Sequence, residues 1–368
     1  MKQEKYKNQM IISQVEPFEC VGQILTEKHI RKVLVVCSES AVKRYDIGFS
    51  EHYAGNIKFF HAFSANPKYE EVVNGVELFC DNDCEAVVSV GGGSAIDVAK
   101  CIKAFAGMDA NQNYLQQKIE QNHICHIAVP TTAGTGSEST CFAVTYYQGE
   151  KKSVADISIL PDYAVLCPDF LIFLPLYQKK ATVLDALCQG IESYWSVNAT
   201  EESRGYAAQA IRGILANVWD YVERSGQTAQ IMDAANLAGR AINISKTTAA
   251  HAMSYKLTSI YGLSHGHAVA LCLPKTWRFL NGALVNSENE KLKMTLQELA
   301  NIMGTKSSKE AVDVFEKLLA RMNLESPKRA KDKDIDLLVK SVNIERLRNF
   351  PVAITEEQLR EMYLQIVE

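Results

Sequence analysis

The 368-residue sequence has no CxxC pair, no GxGxxG, no block of lysine and arginine, and no apolar run that could cross a bilayer. Each absence excludes something. The ten cysteines are scattered singly, and a chain of this size needs no stapling, so they read as reduced thiols rather than as disulfide or zinc pairs. Cys37, Cys80, Cys167 and Cys272 fall mostly in apolar runs, where cysteine acts as a small hydrophobe. Without a run of about 18 apolar residues there is no membrane-spanning helix. The opening MKQEKYKNQM has no apolar core of a signal peptide. Together these features point to a soluble cytoplasmic protein with no membrane partner. A formal net charge of -4 and a pI near 6.1 argue against a nucleic-acid binder. There is no internal repeat and no low-complexity tract. Histidine is sparse as well, with eight in the chain; His251, His265 and His267 are gathered in one stretch.

What is present is an apolar content of 47% over a length that predicts two domains. In the first half, KVLVVC (32–37), AVVSV (86–90) and HIAVP (126–130) read as buried parallel strands separated by helical or loop segments. CEAVVSVGGGSAIDVAKCIKAF is strand, glycine turn and amphipathic helix, the pattern of an open nucleotide-binding sheet. From about Leu174 the pattern becomes helical almost throughout. The final TEEQLREMYLQIVE opens with Thr355 as a helix cap. The expected architecture is an α/β dinucleotide-binding domain over 1–172 and an all-α domain over 173–368.

Two polar loops follow predicted strands. In GGGSAIDVAK (91–100), Gly92 and Gly93 would let the backbone approach a pyrophosphate, with Ser94 leading into a helix whose N-terminus favours anions. An ordinary tight turn would look the same. PTTAGTGSEST (130–140) offers Thr131, Thr132 and Thr135 as hydroxyl donors to ribose, phosphate or carboxamide. Two such loops at the carboxyl ends of strands point to one crevice. In the second half, Asp185 and Gln189 stand four apart in DALCQGIESYWS and so share a helix face. His251 and His265 are fourteen apart, about four turns, from one helix or from a broken pair. An acid, an amide and two imidazoles can bind a divalent metal.

With GGGSAIDVAK, PTTAGTGSE, PDYAVLCPDF, ATVLDALCQGIESY, the 251–274 segment and NFPVAITEEQL, the chain resembles the iron-containing (group III) alcohol dehydrogenases over essentially its whole length. The resemblance implies a dinucleotide-binding α/β domain, a helical domain, a metal in the cleft, and a dimer or larger homo-oligomer. It places metal ligands on Asp185, Gln189, His251 and His265. Most members have histidine where Gln189 stands, and related glycerol dehydrogenases keep only the Asp and two His ligands; iron and zinc both remain open. Cofactor contacts are implied at Ser38, Asn66, Gly92, Gly93, Ser94, Thr131, Thr132, Thr135 and Lys152. Many members carry an acid after the first strand, where Ser38 stands with Glu39 beside it, so NAD is expected and NADP is open. Tyr255 replaces a second histidine of many members, leaving Tyr255 or His267 for the proton relay.

The stretch AGRAINISKTTAAHAMSYKL (238–257) is rich in cations and hydroxyls. It resembles the subgroup that reduces phosphonoacetaldehyde, and the related sulfoacetaldehyde reductases. Arg240, Lys246 and Lys256 are therefore expected to meet an anionic head group, although a solvated helix face reads the same. The expected function is metal-dependent, NAD(P)H-linked reduction of a small anionic aldehyde to its 2-hydroxyethyl alcohol. Three alternatives stay open: a general short-chain alcohol or diol dehydrogenase, a dehydroquinate-synthase-like non-redox enzyme, and a nucleotide-binding protein without catalysis.

Overall fold

Alternation along KVLVVC decides how the first unit is built. Val33, Val35 and Cys37 enter one apolar cluster with Phe18, Val21, Leu25, Val88 and Ile127. Leu34 and Val36 enter another with Val72, Phe79, Val87, Val98 and Phe105. Successive residues of a strand face opposite ways, so this strand is covered on both sides, as its continuous apolar run requires. Each Val or Leu buried this way contributes about 1.5–3 kcal/mol of transfer free energy. The structure is a computed structural model that describes residues 1–48, 53–328 and 332–367.

The chain divides into two compact units, Met1–Phe173 and Leu174–Glu368. In the first, strands β1 (Lys2–Tyr6), β2 (Gln9–Ser13), β3 (Lys32–Cys37), β4 (Asn56–Phe60), β5 (Ala86–Gly91), β6 (Cys125–Pro130) and β9 (Tyr163–Leu166) form a seven-stranded sheet in the order β1-β2-β9-β6-β5-β3-β4. Only β1 runs antiparallel to its neighbour. Strands β7 (Phe142–Tyr147) and β8 (Glu150–Ala155) form a separate hairpin. Helices α1 (Pro17–Glu27), α2 (Glu39–Arg44), α3 (Tyr69–Asp81) and α4 (Gly93–Phe105) connect the sheet strands. From β3 the chain steps outward to β4 and returns on the other side as β5. The strand order reverses between β3 and β5, which is where an open parallel sheet binds its ligand, outside the carboxyl ends.

The second unit is helical: α5 (Leu176–Trp195), α6 (Glu201–Arg224), α7 (Thr228–Ser245), α8 (Ala249–Tyr261), α9 (His265–Ala283), α10 (Glu290–Ile302), α11 (Ser308–Met322), α12 (Asp332–Lys340), α13 (Ile344–Leu347) and α14 (Glu356–Ile366). Helix α5 is buried along most of its length, and Trp195 at its end meets Trp277 of α9 edge-on at 5.1 Å. Helix α14 opens with the expected Thr355 cap, whose reciprocal partner is Gln358. The described cysteines are all free thiols, and Cys80 is exposed rather than packed in an apolar run. No described helix is long and apolar enough to cross a membrane.

Candidate functional site

In the first unit, most of the expected cofactor residues follow the carboxyl ends of β3, β5 and β6, whereas Asn66 comes after β4 and Lys152 lies within β8 of the hairpin. Gly92 is the N-cap of α4, with φ -79°, so no left-handed conformation calls for glycine here. The reason is close approach. A Cβ on Gly92 would lie 3.3 Å from Thr132 Cγ2, and one on Gly93 would lie 2.9 Å from Thr135 Cγ2. The glycine turn and the hydroxyl loop thus pack against each other and form one surface. Below them Lys100 is fully buried. Its ammonium donates to Ser137 Oγ (3.0 Å), Thr140 Oγ1 (3.0 Å) and the Phe142 carbonyl (2.8 Å). Asp97 accepts from Ser137 Oγ–H and, at 3.0 Å, from Val144 N–H. Burial pushes the Lys100 pKa down and that of Asp97 up, against the attraction between the two. This network fixes the loop of Thr131, Thr132 and Thr135 onto α4.

Ser94 donates to the Ala65 carbonyl, which holds the exposed Asn66 turn beside the start of α4. The same turn is tied to the hairpin, because Pro67 O accepts from Thr145 Oγ1 and Tyr146 N. Lys152 lies opposite Thr145 in that hairpin and pairs with Glu150 at 2.6 Å. Ser38 caps α2, its hydroxyl accepting from Ala41 N–H at 3.2 Å. Gly93→Val should therefore push Thr135 aside and weaken NADH binding about five- to a hundredfold, the equivalent of an overpacking cost of roughly 1–3 kcal/mol. Metal content should be unchanged. NADH fluorescence titration checks this, and an unaltered dissociation constant counts against a cofactor role for the loop pair.

In the second unit, Asp185, His251 and His265 present ligand atoms that all lie within 4.8 Å of one another. His251 Nε2 is 3.3 Å from Asp185 Oδ1, and His265 Nε2 is 4.0 Å from it. Asp185 Oδ1 and His251 Nε2 are both buried without a hydrogen-bond partner. Buried polar atoms are normally satisfied, and an oxygen and a nitrogen left facing each other fit a divalent cation between them. A carboxylate and two imidazoles are also a donor set that such a cation accepts while an open position remains. Gln189 is buried one turn below Asp185 and its side chain hydrogen-bonds to the Asp185 carboxylate. Burial raises the Asp185 pKa, but the nearby imidazoles, His265 first, outweigh it and hold the carboxyl below its usual range. For His251 burial again works against the charged form, yet the Glu192 and Asp185 carboxylates raise its pKa to about 9. A divalent cation held by His251 would have to displace its proton.

His251 and His265 do not share a helix. Helix α8 ends at Tyr261, Gly262 takes a left-handed conformation with φ 67°, and His265 starts α9. What brings His265 to Asp185 is Gly266. A Cβ there would stand 2.0 Å from the Ala181 carbonyl oxygen and 2.7 Å from Asp185 Cβ, so α9 lies directly against α5. Tyr255 shares the His251 face of α8, and its ring stacks beside that of His265 at 6.0 Å. Two residues escaped the sequence reading, Gly266 and Glu192. Glu192 is fully buried and contacts His251 Nδ1.

Other expected residues are placed elsewhere. His267 has both ring nitrogens engaged. Tyr177 O–H donates to Nδ1 at 3.1 Å, and Nε2–H donates to the Glu325 carbonyl at 3.1 Å. Burial lowers its pKa, and its two hydrogen bonds go to Tyr177 and Glu325 rather than to Asp185 or His265. Arg240 is buried; its Nε donates to Asn236 at 3.0 Å and its guanidinium lies over Tyr206 of α6 at 5.6 Å. These contacts tie α7 to α6 through Arg240. Lys246 is exposed where α7 ends, with φ 60°. Lys256 is half-buried on α8, about 140° round the helix from His251.

Comparison with known proteins settles the family. The sequence profile described as iron-containing alcohol dehydrogenase matches residues 8–168, and that of the Fe-containing alcohol dehydrogenase family, C-terminal, matches residues 179–367. The chain belongs to the iron-containing alcohol dehydrogenases. The fold is theirs, and membership makes the chain an oxidoreductase of the alcohol dehydrogenase type that works with a nicotinamide dinucleotide and a divalent metal. Among similar proteins is a phosphonoacetaldehyde reductase from Streptomyces viridochromogenes, 34% identical over 53% of this chain and 53% of that protein. The aligned stretch thus spans about half of each. A 1,3-propanediol dehydrogenase from Klebsiella pneumoniae is 31% identical over 79% of this chain and 76% of its own. Among solved structures, sulfoacetaldehyde reductase from Bifidobacterium kashiwanohense in complex with NAD+ superposes with a TM-score of 0.89 at 27% identity, over 100% of this chain and 99% of that one.

Proposed function

We propose that this family member reduces a small aldehyde carrying an anionic group, of the phosphonoacetaldehyde or sulfoacetaldehyde kind, to the corresponding alcohol. The observation that carries the reading is the pair of relatives found by independent routes. One aligns by sequence and one by whole-chain structure. Their named substrates share a two-carbon aldehyde with an acidic head group. When bound, the metal polarises the carbonyl as a Lewis acid and the dinucleotide supplies the hydride.

The chain's own residues do the rest. Asp185, His251 and His265 hold the metal, and Gln189 steadies the Asp185 carboxylate. Ser38, Asn66, Gly92, Gly93, Ser94, Thr131, Thr132, Thr135 and Lys152 form the surface for the dinucleotide. Tyr255, whose ring stacks beside that of His265, is the side chain assigned to deliver the proton from its hydroxyl. The enzyme is expected to work as a cytoplasmic homo-oligomer.

A second reading, a general short-chain alcohol or diol dehydrogenase, is favoured by one observation: Arg240, one of the three expected anion contacts, is buried against Asn236 and Tyr206. The experiment is NADH oxidation by the metal-loaded enzyme on phosphonoacetaldehyde, sulfoacetaldehyde and propanal. The proposal expects kcat/KM for at least one anionic aldehyde to exceed that for propanal by about ten- to a hundredfold, one charge-assisted contact of roughly 1.5–3 kcal/mol. A preference for propanal overturns it in favour of the second reading. Lys246→Ala and Lys256→Ala then tell whether either lysine supplies the contact, by a loss confined to the anionic aldehydes.

A further inference from the structure

Glu192 lies on α5, seven residues past Asp185 and three past Gln189, and none of its side chain reaches solvent. A carboxylate in such a place must have all its acceptor capacity used. Oε1 accepts from Thr248 O–H at 2.6 Å, Thr248 N–H at 3.2 Å and Ala250 N–H at 2.9 Å. Thr248 is the N-cap of α8 and makes no side-chain cap of its own, so Glu192 closes the start of α8 from the neighbouring helix. Oε2 contacts His251 Nδ1.

We infer that Glu192 is a positioning residue that fixes His251 with its proton on Nδ1, leaving the Nε2 lone pair to ligate the metal. A carboxylate can only accept, so the ring nitrogen facing it must donate. Once Nδ1 carries the hydrogen, metal binding takes place at Nε2, the atom that stands 3.3 Å from Asp185 Oδ1. Partners of this kind orient metal-binding imidazoles and raise their basicity, and their loss typically costs ten- to a hundredfold in metal affinity. The same carboxylate ties the ring to the helix start, so the direction of α8 and the tautomer of His251 are set together.

The test uses Glu192→Gln. Three donors at the start of α8 keep the amide oxygen on their side, which turns the amide N–H groups toward Nδ1. Nδ1 then accepts, the proton moves to Nε2, and the lone pair facing Asp185 is lost. Competition with a chelator for zinc should show an affinity about ten- to a hundredfold below wild type. Thermal unfolding in excess chelator should stay near the wild-type value. Thr248→Val removes one donor from Oε1 and leaves the His251 contact, so it should lower stability without weakening zinc. Unchanged zinc affinity in Glu192→Gln, or an equal loss in Thr248→Val, overturns the proposal. A measurement on the wild type stands even if Glu192→Gln does not fold. In zinc-loaded, 15N-histidine-labelled enzyme the His251 proton must be on Nδ1, and a proton on Nε2 overturns the proposal. The inference rests on the metal reading of this site and not on the substrate. A wild type that binds no divalent metal would defeat that reading itself, and the two failures are distinguishable.

Discussion

Changing His265 to Ala is expected to empty the enzyme of metal and to lower aldehyde turnover at least about a hundredfold, since Lewis-acid polarisation supplies several kcal/mol of barrier lowering. His265 is one of three residues whose ligand atoms meet within 4.8 Å. Removing one imidazole leaves a carboxylate and a single imidazole, too few to hold a labile divalent ion. The fold should survive. The His265 side chain is 35% exposed and sits at the first position of α9, where its main contribution is chemical. Elemental analysis after dialysis gives the metal stoichiometry, and unfolding in excess chelator reports on the fold. Retained stoichiometric metal in a folded variant would show that the ion binds elsewhere. A folded, metal-free variant that reduced aldehyde at the wild-type rate would separate the metal from the reaction.

How far this site could be read from sequence depends on the distance over which each residue's reason acts. Asp185 and Gln189 were legible because i and i+4 on a helix share a face, and α5 keeps them together. The strands read at 32–37, 86–90 and 126–130 were legible, to within one residue, because parallel strands covered on both faces are apolar without interruption. His251 and His265 were legible as partners, but their spacing of fourteen also fits one continuous helix. Gly262 and Ser264 are the local sign that α8 stops and α9 begins, and only the turn shows that the two rings approach from different helices.

Glu192 was within reach of the same reasoning. It is a charged residue three positions past Gln189, between Ile191 and the Tyr194–Trp195 pair, and a charge among such neighbours needs buried partners. His267, two positions after His265, points about 200° away round the helix, which already argues against a shared task. Other reasons were out of reach. That Gly92 and Gly93 make room for Thr132 and Thr135 depends on a contact between loops some forty residues apart. That Arg240 is spent on Tyr206 depends on how α6 lies against α7. A run of cations reads alike whether it faces a substrate or a neighbouring helix.

Gly266→Ala should be as damaging to the metal site as removing a ligand, although it adds a single methyl group. The new Cβ would be placed 2.0 Å from the Ala181 carbonyl oxygen and 2.7 Å from Asp185 Cβ. Both belong to the turn of α5 that carries the metal-binding carboxylate, and main-chain atoms inside a helix cannot step aside as a flexible side chain can. Helix α9 would have to draw back from α5, and His265, one residue before Gly266, would move with it. Ligand distances tolerate about 0.2 Å, far less than the shift that a 2.0 Å contact demands. The expected result is loss of stoichiometric metal, a fall in kcat/KM of at least about a hundredfold, and a stability cost of roughly 1–3 kcal/mol from overpacking. Gly282→Ala is the control. It lies on the same helix with no atom within 4 Å of its Cβ position, so its methyl meets nothing. Alanine's better helix propensity should make that variant up to about 1 kcal/mol more stable, with full metal content. Metal analysis and unfolding of both variants decide the matter. If Gly266→Ala binds metal as tightly as Gly282→Ala does, then α9 does not need its close seat on α5 to deliver His265.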